Sequence, residues 1–143
     1  MAIDYIVRPA RPSDAPQLRE LNRLFNGDDV SDEALTQQRL SAPGPERCLV
    51  CERGDRLLGF VCAICFPSFC YVHPVGEVTE LFVLPDARRM GVGQALVRAM
   101  IERLRGEGAT EIRLLTGWDN HAAQALYEQC GFRPVDERCY ELE

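Results

Sequence analysis

The strongest constraint on this chain is residues 81–97, Leu-Phe-Val-Leu-Pro-Asp-Ala-Arg-Arg-Met-Gly-Val-Gly-Gln-Ala-Leu-Val. An apolar strand runs into a proline-marked turn, then two arginines, then a Gly-x-Gly that opens an amphipathic helix. The first N–H groups of a helix have no partner inside it, and the dipole makes that end electropositive. Glycine at 91 and 93 removes the Cβ atoms that would hold a ligand off those donors. Such a mouth grips a pyrophosphate through backbone alone, so the segment predicts a nucleotide-type ligand. The spacing excludes two common solutions. A Walker A loop ends in Gly-Lys-Ser/Thr, and no lysine stands nearby. The dinucleotide fingerprint Gly-x-Gly-x-x-Gly would need a small residue where Leu96 stands. What remains is Arg-x-x-Gly-x-Gly, with Arg88, Gly91 and Gly93.

A second motif spans residues 116–132, Thr-Gly-Trp-Asp-Asn-His-Ala-Ala-Gln-Ala-Leu-Tyr-Glu-Gln-Cys-Gly-Phe. Asp119 or Asn120 suits the start of a helix, and Gly131 suits its left-handed C-terminal cap. Seven residues make nearly two turns, so Asn120 and Tyr127 lie almost on one face, about 10 Å apart along the axis. Ala123 leaves room on that face for a thin ligand.

The first motif resembles the acetyl-coenzyme A loop of the GNAT N-acetyltransferases. Asn-x-x-Ala-x-x-Leu-Tyr-x-x-x-Gly-Phe resembles that family's second signature. The resemblance implies an α/β (α+β) fold: a mixed, mostly antiparallel sheet of six to seven strands flanked by about four helices. Its central parallel strands, here 77–84 and 111–116, would splay apart and expose backbone groups to the amides of a pantetheine arm. It also implies site roles. Backbone groups of Phe82 and Val83 would bind the arm, and the N–H groups of Arg89, Met90, Gly91, Val92, Gly93 and Gln94 would hold the pyrophosphate, with Arg88 near its charge. The Asn120 amide would bond the arm, and the Tyr127 hydroxyl would protonate the departing thiolate. Arg89 departs from the pattern, which often has glycine there.

The implied reaction is direct transfer of an acetyl group from acetyl-CoA to a primary amine. Attack needs a neutral amine, and free alkyl amines are mostly protonated at pH 7. A carboxylate acting as base is the usual remedy. Glu80 is the first candidate and Glu77 the second. Their odd separation places them on opposite faces of a regular strand. His73 and His121 carry no catalytic role in this reading. The alternative is a CoA- or acyl-CoA-binding sensor of the same fold without turnover.

A chain of 143 residues is expected to form one domain. Its net charge of −6 argues against a nucleic-acid partner. Residues 1–10 lack the apolar core of a signal peptide, and no apolar run spans a bilayer. The seven cysteines, an odd number, fit a reducing cytoplasm. Cys48-x-x-Cys51 and Cys62-x-x-Cys65 have zinc-like spacing, but they lie in β-like runs where i and i+3 point to opposite faces, so no metal is expected. Family resemblance also brings in a homodimer.

Periodicity predicts a strand at 3–8, then a helix capped by Ser13 or Asp14 with Leu18, Leu21, Leu24 and Phe25 on one side. A short helix follows from Ser31 to about Leu40, and 43–45 form a loop. Residues 47–52 and 57–66 form a hairpin turning at 53–55. The helix after Gly91 runs to about Glu107 on Val97, Met100, Ile101 and Leu104. Residues 132–135 and 138–142 are expected as closing strands. By resemblance, loops 26–30 and 67–76 shape the acceptor site. Asp28 and Asp29 there would favour a cation, and Phe69, Tyr71 and Trp118 are candidates for an aromatic wall.

Overall fold

The computed structural model describes residues 4–42 and 44–143. The beginning of the expected first strand, Ile3, and the first residue of the 43–45 loop, Pro43, lie outside the described residues. In chain order the elements are β1 (Ile6–Pro9), a 3-10 turn (Pro12–Asp14), α1 (Ala15–Asn26), α2 (Glu33–Ser41), β2 (Glu46–Arg53) and β3 (Arg56–Phe66). Then come β4 (Val75–Val83), a second 3-10 turn (Pro85–Ala87), α3 (Val92–Gly106), β5 (Glu111–Leu114) and α4 (His121–Gln129). The five strands form one mixed sheet in sequential order, antiparallel except for the parallel β4–β5 pair.

Among the described residues the expected six to seven strands are therefore five. Residues 132–135 and 138–142 form no strand. A strand needs a ladder partner as well as a suitable sequence, and these segments pair with no strand among the described residues.

The centre of the sheet is β3, whose residues 57–63 are all buried. It is covered on both faces, which accounts for its unbroken apolar run. On one face α3 lays Val92, Leu96, Met100 and Leu104 against Leu49, Leu58, Val61 and Val78. On the other, Leu18 and Leu21 of α1 pack on Val50, Leu57, Phe60 and Phe82. The buried stripe of α3 includes Leu96, while Ile101 is only half-buried.

β4 carries a bulge that decides where the site's side chains point. Its register on β3 runs Phe60↔Phe82, Leu81↔Val61 and Glu80↔Cys62, then slips so that Val78 faces Ala63 and Glu77 faces Ile64. Thr79 is the extra residue. An insertion of this kind flips side-chain parity beyond it. Glu77 and Glu80 consequently lie on the same face, the one covered by α1, and the expectation that they oppose each other is corrected.

The cysteine pairs split as the alternation requires. Cys48 and Cys62 sit on the α1 face, directly opposite each other, whereas Cys51 and Cys65 join the α3 face. Among the described residues no group of three or more His, Cys, Asp or Glu side chains is arranged to hold a metal. No helix among them is long and apolar enough to cross a membrane.

The start of α1 is organised by Asp14, the one buried charged side chain among the described residues. Its carboxylate takes two 2.8 Å bonds from Arg8 and a third from the Arg11 N–H. The Arg8 guanidinium holds that carboxyl below the usual carboxylate range. A depressed folded value gives stability that is present above about pH 4 and lost as pH falls through the lowered value. Asp14→Ala is expected to cost about 2–3 kcal/mol at neutral pH, because Arg8 and the Arg11 N–H lose their acceptor. Urea unfolding across pH checks this: the difference from the parent should shrink towards acid.

Candidate active site

Strands β4 and β5 pair only from Val75↔Glu111 to Val78↔Leu114. Beyond Val78 they part, so the stretch containing Phe82 and Val83 has no strand on its β5 side. This is the splay that the resemblance implied. The gap opens into a cleft of about 950 Å³. One wall is residues 78–83 of β4, and the other is Leu115, Thr116 and Gly117 after β5 with Asn120, Ala123 and Tyr127. The loop from Ala87 to Gln94 closes one end.

That loop presents a row of donors. Among the described residues, no N–H from Arg89 to Gln94 has a backbone or side-chain acceptor, and the first bond of the new helix is Ala95 N–H to the Gly91 carbonyl, 3.0 Å. The helix cap is Gly91 at φ +81°, with no side-chain capping bond and no acidic residue in the first turn. Arg89 has φ +67°, the only positive φ at a non-glycine among the described residues. A Cβ there costs about 1–2 kcal/mol, which explains why glycine is the usual choice at this position. The Arg88 Nε donates to the Val83 carbonyl at 3.2 Å, which sets this side chain at the end of β4.

Gly93 lines the cleft and also serves packing, since a Cβ there would lie 3.1 Å from Cδ1 of Leu126 on α4. Gly59 is a site-building residue that sequence reasoning missed. Its Cβ would stand 2.5 Å from the Phe82 carbonyl oxygen and 3.2 Å from the Val83 Cα. A glycine inside an apolar strand is the available signal for such close backbone approach.

On α4, Asn120 is the N-cap, and its Oδ1 accepts from the Ala123 N–H at 3.2 Å. Capping uses the oxygen, so the amide hydrogens of this cleft-lining residue have no protein acceptor among the described residues. Gln124 ties down the preceding loop through the carbonyls of Gly117 and Trp118. At the other end Gly131 takes φ +99°, and the Phe132 N–H closes back on the Tyr127 carbonyl at 3.0 Å. This six-to-one closure sets the Phe132 ring edge-on to Tyr127, centroids 6.0 Å apart. Burial first, then the neighbouring Cys130, pushes the Tyr127 phenol upward, so it carries its proton at neutral pH.

Glu80 lines the cleft on the α1 side, next to Phe25 and Leu24. Burial, and then the charge of Glu46, raises its carboxyl above the ordinary range, partly offset by the Asn26 amide. Glu77 lies outside the cleft lining, with its Oε1 3.5 Å from the Arg113 Nε. His73 and His121 are exposed and do not line it either. Loop 67–76 contributes no lining residue, and Asp28 is taken up by Arg23 at 3.3 Å. Phe69, Tyr71 and Trp118 project into solvent and form no aromatic wall. The aromatic groups that do bound this side are Phe25 and Phe82, stacked at 5.2 Å.

A mixed sheet whose parallel strands part above a glycine-opened helix mouth defines the class as a mixed α/β transferase fold. The chain belongs to the acetyltransferase (GNAT) family, whose model matches residues 15–132. It is 41% identical to mycothiol acetyltransferase of Kocuria rhizophila over 78 residues, which is 54% of this chain and 26% of that protein. It is 33% identical to human N-acetyltransferase 8 over 110 residues, 76% of this chain and 47% of that one. The chain thus spans about a quarter and about half of these curated relatives. Among solved structures, AAC(6')-Iy in complex with the bisubstrate analogue CoA-S-monomethyl-acetylneamine shares the fold, with TM-score 0.84, 18% identity and 97% of each chain covered.

Proposed function

We propose that residues 1–143 act as a single acetyl-CoA-dependent N-acetyltransferase domain that moves the acetyl group to a primary amine by direct attack. The observation that carries this reading is the run of six N–H groups without acceptors, set at a left-handed glycine beside two parted strands. Donors that converge on a helix mouth without protein acceptors form an anion site, and a diphosphate there satisfies them. Acetyl-CoA, when bound, supplies the acetyl thioester. The backbone of Arg89 to Gln94 holds its diphosphate, with Arg88 adding charge. The β5 side of the main chain around Phe82 and Val83, which no strand covers among the described residues, holds and orients the arm together with the Asn120 amide hydrogens. Glu80 accepts the proton of the incoming ammonium, directly or through water. Tyr127 gives its hydroxyl proton to the departing sulfur. Glu80 and Glu46 on one side favour a cationic acceptor, as small aminoglycoside-type amines are. A cytoplasmic location completes the proposal.

Calorimetry with CoA, followed by thiol release from acetyl-CoA across a panel of amines, tests it. Binding with amine-dependent release is expected. Absence of any association removes the reading, and binding without release for every amine replaces it with the sensor.

Glu80→Gln is expected to remove the acid limb of the rate profile, lowering activity at pH 7 by about 10²-fold with partial recovery at high pH where the amine is already neutral. An unchanged profile would clear Glu80 of the role. Stability should move the other way. A carboxyl raised on folding contributes its stability below its unfolded value and loses it as pH rises through the raised one. The Gln variant should therefore melt slightly higher at pH 7 and gain nothing near pH 4.

A further inference from the structure

Of the four cysteines on β2 and β3, two face each other and two do not. Cys48 lies directly opposite Cys62, whereas Cys51 opposes Gly59 and Cys65 opposes Gly76. The Cys48 carbonyl accepts the Ala10 N–H at 2.9 Å, so the backbone polar groups of Cys48 point to β1 and away from β3. Cys48 and Cys62 are therefore a non-hydrogen-bonded pair, the kind whose side chains come closest, with Cα atoms about 4.5 Å apart. A disulfide spans Cα separations of about 4.4–6.8 Å, so the ladder already holds these thiols at bonding range. Only one of them is open to reagents. Cys62 is buried in the cluster of Leu18, Leu21 and Phe60. Cys48 is half-buried and lines a groove of about 360 Å³ together with Arg39, Arg47 and Arg103.

We propose that Cys48 and Cys62 are a redox modification site, which hydrogen peroxide closes into a cross-strand disulfide and a small thiol reopens by exchange. The Cys48 thiolate attacks one peroxide oxygen. An S–O bond forms, the O–O bond breaks, and hydroxide leaves behind a sulfenic acid. Arg39 and Arg103 bring N–H donors to the groove in which that hydroxide departs. The Cys62 sulfur then attacks the Cys48 sulfur, the S–O bond breaks, and the thiol proton leaves with the hydroxyl as water. In sum the two thiols lose two electrons and two protons, and one peroxide becomes two waters. The order of events follows from the surroundings. Contact with the Cys48 thiol, then burial, holds the Cys62 thiol well above its ordinary range, and the charges of Glu46 and Glu80 act in the same sense. Cys62 is accordingly the resolving partner, not the first to react. Cys62 also opposes Glu80 across β3 and β4, so the bond closes one strand away from the proposed base. Only the bearing of that position on turnover rests on the proposed function.

Peptide mapping of the full chain reads the outcome. The reduced protein is treated with equimolar hydrogen peroxide, free thiols are blocked, and the digest is separated without reductant. The expected product is a chain lighter by two hydrogens, with one linked peptide joining Cys48 to Cys62 that dithiothreitol abolishes. Replacing the two exposed thiols, Cys70→Ser with Cys139→Ser, should leave this link in place. In Cys62→Ala the link is lost, and Cys48 should accumulate as the sulfenic acid that dimedone traps. The same oxidation in urea should lose its preference for the pair, because the ladder that aligns it is gone. A pair left unmodified, a link formed elsewhere, or a parent Cys48 that stops at the sulfenic acid overturns the proposal. So does equal selectivity in urea. None of these readouts uses acetyl-CoA, so transfer activity can fail or succeed without altering them.

Discussion

Tyr127→Phe is expected to lower kcat by about 10²-fold while leaving the KM for acetyl-CoA nearly unchanged. The variant keeps the ring, and the ring is what the fold uses. Phe132 packs on it edge-on, and the closure through Gly131 depends on the Tyr127 carbonyl rather than the hydroxyl. Only a proton is withdrawn. Since burial raises the phenol, that proton is present at neutral pH and available to a leaving thiolate. A loss confined to kcat identifies an interaction made in the transition state, whereas a rise in KM alone would make Tyr127 a binding residue. Equal turnover in the two proteins would remove the acid role. Steady-state kinetics with a good amine, alongside CoA calorimetry, separates the three results.

Gly59→Ala is the second large effect, and it reaches the site from a strand that never touches the cleft. The added methyl would meet the Phe82 carbonyl oxygen at 2.5 Å, and backbone has no rotamer with which to move aside. Either β3 and β4 separate or the chain around Phe82 tilts. Overpacking of this kind costs about 2–3 kcal/mol, and here it displaces the main chain proposed to hold the pantetheine arm. Reduced stability in urea together with weakened CoA binding is the expected pair of results. A variant with parental stability and affinity would show that the approach of β3 to β4 is dispensable.

Much of the fold was legible because it is written in period. The apolar spacing of Leu18, Leu21, Met100 and Leu104 identified two helices to within a residue or two, and the β2–β3 hairpin followed from its Gly54 turn. Asp32 rather than Ser31 caps α2, a one-residue difference typical of helix ends. Of the candidate site, the mouth at Gly91 and the cap at Asn120 were readable because caps have local chemistry.

What could not be read depended on pairing. Thr79 looks like any strand residue, and only its opposition to β3 makes it a bulge. With it went the relation of Glu77 to Glu80, and the exclusion of Glu77 by Arg113, which is supplied from β5. The packing need at Gly93 was invisible because nothing in one helix tells which neighbour, here Leu126, will approach it. The closing segments were expected as strands and pair with none among the described residues. That information sits in the arrangement of elements, not within any one of them.

The extra residue at 79 has a genetic corollary. Deleting that codon would restore strict alternation through the end of β4. Glu77 and Glu80 would then stand two residues apart and keep their common side, with Val78 and Leu81 still turned towards α3. What such a deletion removes is the local twist that the bulge adds to β4, not the direction in which the proposed proton acceptor faces.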